Sequence, residues 1–213
     1  MIAKRTTTVL LVIAIMIIVL KAVRASGSVS LYDVFNKAIS KTFGVLTSLQ
    51  SSAVIGILKA FEQYGDGDMN KLAYIFATAW HESTLIPDRK EIRCRPGSAC
   101  YNAQELYWYT GYYGRGLAQL THEYNYKAMG EIFNIDLVNN PDLALNPDIS
   151  AQILVYGMMN GSFTTAALSR YINSSKVDFI NARRVVNGLD KATEIAEYAT
   201  NIANNVKLLT QPV

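Results

Sequence analysis

The sequence predicts a mainly α-helical domain with a small irregular or β-hairpin lobe, preceded by one amino-terminal transmembrane or signal helix. Three observations lead there. Apolar residues recur at intervals of three and four along most of the chain. That rhythm lapses over residues 86–116, where Pro87, Pro96, Trp108 and a run of tyrosines and glycines replace it. Residues 6–20 form an uncharged, mostly apolar run behind Lys4 and Arg5. With 213 residues, half of them hydrophobic, the chain can bury one sizeable core. Two units result: residues 1–25 as anchor or signal, and 26–213 as a single domain.

The amino-terminal run has three readings. A signal peptide would be cut after Ala25, where Val23-Arg24-Ala25 offers small residues at the recognition positions. An anchor would keep the body on the far side of the membrane, with Lys21 and Arg24 snorkelling to lengthen a run near the lower limit of about 20 residues. A buried core helix would need a polar face, which this run lacks. Basic residues just before a cleavage site are unfavourable for processing, which favours the anchor.

Residues 25–30 read as a polar linker. Helices are expected over 31–43 and 49–64, broken by Gly65-Asp-Gly-Asp68, a plain turn rather than a calcium loop, whose other ligands are missing. The next helix spans 68–84. Leu72, Ile75, Phe76, Ala79 and Trp80 make its buried stripe. Glu82 falls about 90° from the centre of that stripe, at the border of core and solvent. A carboxyl there is partly desolvated, which favours its neutral form. Within the irregular stretch, 101–113 reads as a strand pair. Helices resume over 121–133, from Asn146-Pro147 to 160, over 164–172 and 178–186, and finally 192–208.

The formal net charge of +3 comes from the amino-terminal segment. Without Lys4, Arg5, Lys21 and Arg24, 16 basic residues face 17 acidic ones, with no long basic run. Nucleic acid is therefore not an expected partner. Cys94 and Cys100, closing a turn around Pro96-Gly97, read as a disulfide in an exported protein. A zinc site adding His81 and His122 is the rival reading, although its spacing fits no common pattern.

Several chemistries drop out on sequence grounds. His81-Glu82 lacks the second histidine of a zinc-protease motif, because Leu85 stands there. There is no Gly-x-Ser-x-Gly elbow, and Gly111, Gly114 and Gly116 are not a dinucleotide fingerprint. What remains is Glu82, Glu91 nine residues later, and a glycine-rich turn carrying Arg115, Gln119 and Thr121. Hydrolysis of a glycosidic bond needs one protonated carboxyl and one ionised carboxyl, so this set suits it. Each residue alone has a blander meaning: Glu82 as a surface acid, Glu91 as part of a charge cluster with Arg89, Lys90 and Arg93, and the tyrosines as core.

Ala77-Thr-Ala-Trp-His-Glu-Ser83, Tyr112-Tyr-Gly-Arg-Gly-Leu-Ala-Gln-Leu-Thr121, Tyr124-Asn-Tyr126, Asp136-Leu-Val-Asn-Asn-Pro-Asp-Leu-Ala144 and Ala182-Arg-Arg-Val-Val-Asn-Gly188 occur in this order. Together they resemble glycoside hydrolase family 19, the chitinase-like family, and its compact phage endolysin branch. The resemblance covers about residues 46–199. It implies a two-lobed, lysozyme-like helical fold with the cleft between lobes and no cofactor or metal. Glu82 matches the general acid, Glu91 the general base, and Thr121 the residue that holds the attacking water. Tyr124, Asn125 and Asn187 match substrate-binding positions, with Gln119 and Arg115 supporting them. The segment between Glu91 and Gly114 is shorter than in plant chitinases, and their cysteine pattern is absent. Those departures favour peptidoglycan over chitin. A zinc peptidoglycan amidase and a catalytically silent wall-binding or membrane-assembly module are the alternatives from other classes.

Overall fold

The computed structural model describes residues 30–211. The expected anchor or signal over 1–25 lies outside them. Among the described residues no helix is long and apolar enough to cross a membrane.

Helix ends fall where side chains satisfy otherwise unpaired backbone groups. Helix α1 (Leu31–Phe43) opens on a capping box: the Ser30 hydroxyl accepts from the Asp33 N–H, and Asp33 accepts from the Ser30 N–H. Helix α2 (Ser48–Tyr64) repeats the device with Thr47 and Gln50. The Asp68 carboxylate caps α3 (Met69–Ser83) by accepting from Asn70 and Lys71. The Gly65–Asp68 stretch is thus a turn and a cap, as its missing ligands implied. Helix α3 stops at Thr84 and Leu85, both left-handed at φ 53 and 57. The Gln50 side-chain amide donates to the Thr84 carbonyl at 2.9 Å and ties this end to α2.

Every residue from Lys71 to Ala79 is buried, so α3 is the central helix. The carboxy-terminal helix α8 (Ala192–Thr210) packs on α3 and on α1, while α6 (Pro147–Asn160) packs on α2. Leu72, Ile75 and Phe76 meet Phe35, Ile57 and Phe61 in the core. Each such side chain contributes roughly 1.5–3 kcal/mol on burial. This packing fixes the last turn of α3, and with it Glu82.

The irregular segment differs from expectation. Residues 101–113 do not pair as strands; they hold the short helix α4 (Ala99–Glu105) and a 3-10 turn, Trp108–Thr110. Ser98 caps α4 by accepting from the Tyr101 N–H. The aromatics collect around one cation instead of alternating across a sheet. The Arg93 guanidinium lies 4.7 Å from the Tyr101 ring centroid and 4.9 Å from those of Trp108 and Tyr109. Extended pairing in this lobe is confined to the bridges Lys90–Arg115 and Arg115–Leu120. Helix α5 (Glu123–Phe133) follows.

The expected helix over 164–172 shrinks to a 3-10 turn, Leu168–Arg170. An antiparallel pair follows, β1 (Ile172–Asn173) with β2 (Lys176–Val177). Asn173 reverses the chain, its side chain accepting from the Ser175 N–H and hydroxyl. Residues 178–186 split into α7 (Phe179–Ala182) and a 3-10 turn, Arg183–Val185.

Candidate active site

A cleft of about 640 Å³ forms where the irregular segment meets the helical body. Its wall includes Glu82, Glu91, Gln119, Thr121, Tyr124, Asn125 and Asn187. Seven of the eight cleft residues named from sequence therefore converge.

The exception is Arg115. It is buried, and its guanidinium is bonded to Asp142, to the carbonyls of Gly111 and Tyr113, and to the Tyr126 hydroxyl. Arg115 is not a substrate contact. It is a strut behind the glycine-rich turn, and its cation lies 4.0 Å from the Tyr113 ring centroid.

Glu82 projects from the last turn of α3 with its side chain 18% exposed. Its flank is not simply apolar, as the sequence suggested. Arg183, 3% exposed, donates from Nη1 to Glu82 Oε1 at 2.6 Å, while its Nε holds the Asp190 carbonyl at 3.1 Å. A buried guanidinium thus fixes the Glu82 carboxylate from the body side.

Glu91 is held quite differently. Its Oε1 accepts from the Tyr107 hydroxyl at 2.6 Å and from Gln104 Nε2 at 2.8 Å. Its Oε2 accepts from the Gly114 N–H at 2.8 Å, and the Glu91 N–H returns to the Gly114 carbonyl. The cations beside it in sequence are occupied elsewhere. Lys90 pairs with Asp142, Arg93 with Glu105, and Arg89 donates to the Thr84 hydroxyl. Glu91 is therefore not part of a solvated charge cluster; neutral donors orient it. Burial pushes the Tyr107 phenol above its usual range and the Glu91 carboxylate adds to the shift, so Tyr107 remains a donor.

The loop carrying Glu91 is braced from outside. Cys94 and Cys100 are disulfide-bonded, and the Cys94 N–H donates to buried Gln104, which also holds Glu91. A disulfide sulfur offers no thiolate, so the zinc site with His81 and His122 is overturned. Among the described residues no cluster of three His, Cys, Asp or Glu side chains is placed to hold a metal.

The glycine-rich turn folds back through the Arg115–Leu120 pair. Gly116 has φ +75, and an added Cβ would stand 2.5 Å from the Ser150 hydroxyl. Past the turn, the Thr121 hydroxyl donates to the Gln119 carbonyl at 2.9 Å, leaving its lone pairs for a water proton. Asn125 donates to the Thr121 carbonyl at 2.8 Å. His122 stacks on Tyr124 at 5.5 Å between centroids and meets the Tyr107 ring edge-on at 5.1 Å.

Sequence reasoning missed Arg183, Tyr107 and Gln104, and weighed His122 only as a zinc ligand. The motif Ala182–Gly188 pointed at Arg183, but nothing in it separates Arg183 from exposed Arg184. Tyr107 and Gln104 were hidden by the strand reading of their segment.

Residues 88–172 match the family profile described as chitinase class I, of glycoside hydrolase family 19. That span includes Glu91 and Thr121 but begins after Glu82 and ends before Asn187. An endochitinase of Pisum sativum is 35% identical over 87 residues, which is 40% of this chain and 23% of that protein. An endochitinase of Solanum tuberosum is 33% identical over 128 residues, 51% of this chain and 39% of that protein. The matches thus span less than half the length of these relatives. Chitinase C from Streptomyces griseus superposes with a TM-score of 0.59 at 19% identity, covering 88% of this chain and 82% of that one. A class IV chitinase from Zea mays gives 0.54 at 16%, covering 86% and 95%. At such identities the structural likeness speaks for the fold alone.

Proposed function

We propose that this chain belongs to the chitinase-like glycoside hydrolase family 19 and cleaves β-1,4 links between the amino sugars of peptidoglycan by an inverting, two-carboxylate mechanism. The observation that carries the proposal is that Glu82 and Glu91 line one cleft with Thr121, Glu82 set on the helical body by Arg183 and Glu91 aimed from the irregular segment by three neutral donors. Two carboxyls given different surroundings can take different roles.

Glu82 gives its proton to the bridging oxygen as the sugar link breaks. Glu91 and Thr121 hold a water on the opposite face. Both are acceptors towards that water, so both its protons are engaged and its free lone pair points at the anomeric carbon. Glu91 takes one proton as the water adds. Tyr107, Gln104 and the Gly114 N–H keep the Glu91 carboxylate aimed throughout. Tyr124, exposed on the cleft rim, and Asn125 and Asn187 contact the sugars.

Peptidoglycan is favoured by the short stretch from Glu91 to Gly114 and by residues 1–25, which would carry the enzyme to a wall polymer. Chitin is the second reading, supported by the endochitinase relatives. Within the first reading the enzyme is a phage endolysin serving host lysis or wall penetration. It acts on the extracytoplasmic side, held by its anchor or released after signal cleavage, with glycan strands and the membrane as partners and no cofactor. The mass of the protein recovered from membranes separates anchor from signal: a chain beginning at Ser26 means cleavage. Parallel digestion of purified peptidoglycan and of chitin oligosaccharides, with products identified by mass spectrometry, tests the substrate. Faster release of disaccharide-peptides from the wall supports the proposal, and turnover of chitin alone overturns it.

A further inference from the structure

Two buried hydroxyls stand behind Glu82 without partners. Tyr74, Thr78 and Glu82 occupy positions i, i+4 and i+8 on α3 and so share one side of the helix. Tyr74 and Thr78 are fully buried, and neither the phenol oxygen nor Thr78 Oγ1 has a hydrogen-bond partner. Thr78 does not take the carbonyl one turn back, the usual recourse of a helical hydroxyl. Ser83 on the same helix does so, donating to the Ala79 carbonyl at 2.8 Å.

The surroundings of the pair are charged. The Tyr74 ring stacks on Phe179, with centroids 5.8 Å apart and planes at 14°. Phe179 opens the short segment that delivers Arg183 four residues later. The charges of Arg183, Glu82 and Asp178 all act on the phenol, and burial keeps it neutral. Asp178 is engaged in capping α7 through Asn181. Glu91 is the other carboxyl in the cleft with Glu82.

The reaction sets a problem at this spot. Glu82 must be protonated to act, yet it rests against Arg183. Adding the proton removes the counter-charge of a guanidinium that is 3% exposed, whose remaining bond is to the Asp190 carbonyl. A buried cation left short of acceptors is costly. We propose that Tyr74 and Thr78 are positioning residues whose unused hydroxyl oxygens accept from Arg183 when Glu82 carries the proton, so that the cation changes partner as the acid is armed. The inference rests on Glu82 being the general acid.

The test compares Tyr74→Phe, Thr78→Val and the double variant with wild type on the glycan that wild type cleaves. Phe keeps the stack on Phe179, and Val keeps the branched shape. Both remove a hydroxyl that has no partner in the resting enzyme, so melting temperature should stay level or rise. The expected result is a kcat lowered roughly tenfold, with KM unchanged. The direction follows from the exchange of partners: without the hydroxyls Arg183 has no second acceptor once Glu82 carries the proton. Thr78→Ser should restore wild-type behaviour. Wild-type kcat in a stably folded double variant overturns the inference while leaving the glycosidase reading intact. A wild-type enzyme that opens no glycosidic bond, or a fully active Glu82→Gln variant, overturns that reading itself.

Discussion

Adding one methyl group at Gly114 should impair turnover without unfolding the protein. An ideal Cβ there would stand 2.8 Å from Gln119 Oε1 and 3.2 Å from Glu91 Oε2, against an ordinary contact of 3.4 Å or more. The Gln119 amide has to retreat by about 0.6 Å and the Glu91 carboxylate by about 0.2 Å to reach ordinary contact. Both are ends of flexible side chains, the third neighbour, Glu91 Cβ, stands at 3.3 Å, and Gly114 has no positive φ, so the global cost should be about 1 kcal/mol. The local cost is larger. The Gly114 N–H is itself one of the three donors holding Glu91, so the displaced carboxylate cannot simply re-form its bonds. A misplacement of ~1 Å costs about a hundredfold in rate, which puts shifts of about 0.2–0.6 Å at roughly 3–15-fold. Steady-state kcat on the glycan that wild type cleaves, alongside a thermal melt, measures this for Gly114→Ala. Wild-type kcat at an unchanged melting temperature would show that the placement of Glu91 is not what the turn provides.

Other consequences follow from the same site. Glu82→Gln should fold normally and lose about 10²–10⁴-fold or more in turnover of the glycan that wild type cleaves, because an amide cannot donate the proton; turnover near the wild-type rate removes Glu82 from the acid role. Cys94→Ala with Cys100→Ala should destabilise the irregular lobe by ~2–3 kcal/mol, the expectation for so short a loop. Unchanged melting of that double variant would contradict the bracing role. Asp142 is held below its usual carboxylate range by Lys90 and then by Arg115. Its pairing therefore stabilises the fold above pH ~4 and is lost as pH falls through the lowered value. Melting temperature should fall less steeply below pH ~4 in Asp142→Asn than in wild type, and identical slopes would count against the pairing.

The helical body was legible because its signals are local. Apolar spacing alone places helices over 31–43 and 49–64, and the stripe from Leu72 to Trp80 places the buried face of α3. The irregular lobe was not, because its order comes from distant contacts. Residues 101–113 look strand-like, but Arg93 gathers their rings and Ser98 starts a helix. The cleft residues came from motif matches, and periodicity alone would have left Glu91 in a charge cluster. Arg183 lies 101 residues from Glu82, and no local pattern reports a pairing over that separation. Arg115 was given a supporting role by the family resemblance alone, and its burial against Asp142 and Tyr126 shows how it supports the turn.

The most direct test of two carboxylates working through a water is the anomeric proton signal during cleavage of a β-1,4-linked amino-sugar substrate, followed by NMR before mutarotation. The reducing end released first should be the α-anomer, with the β-anomer growing in later, because water attacks the face opposite the leaving oxygen. A β-anomer appearing first would mean a covalent intermediate on the enzyme and would contradict the role given to Glu91 and Thr121. Wall clearance with no new reducing end would mean that the glycan is not the bond being cut.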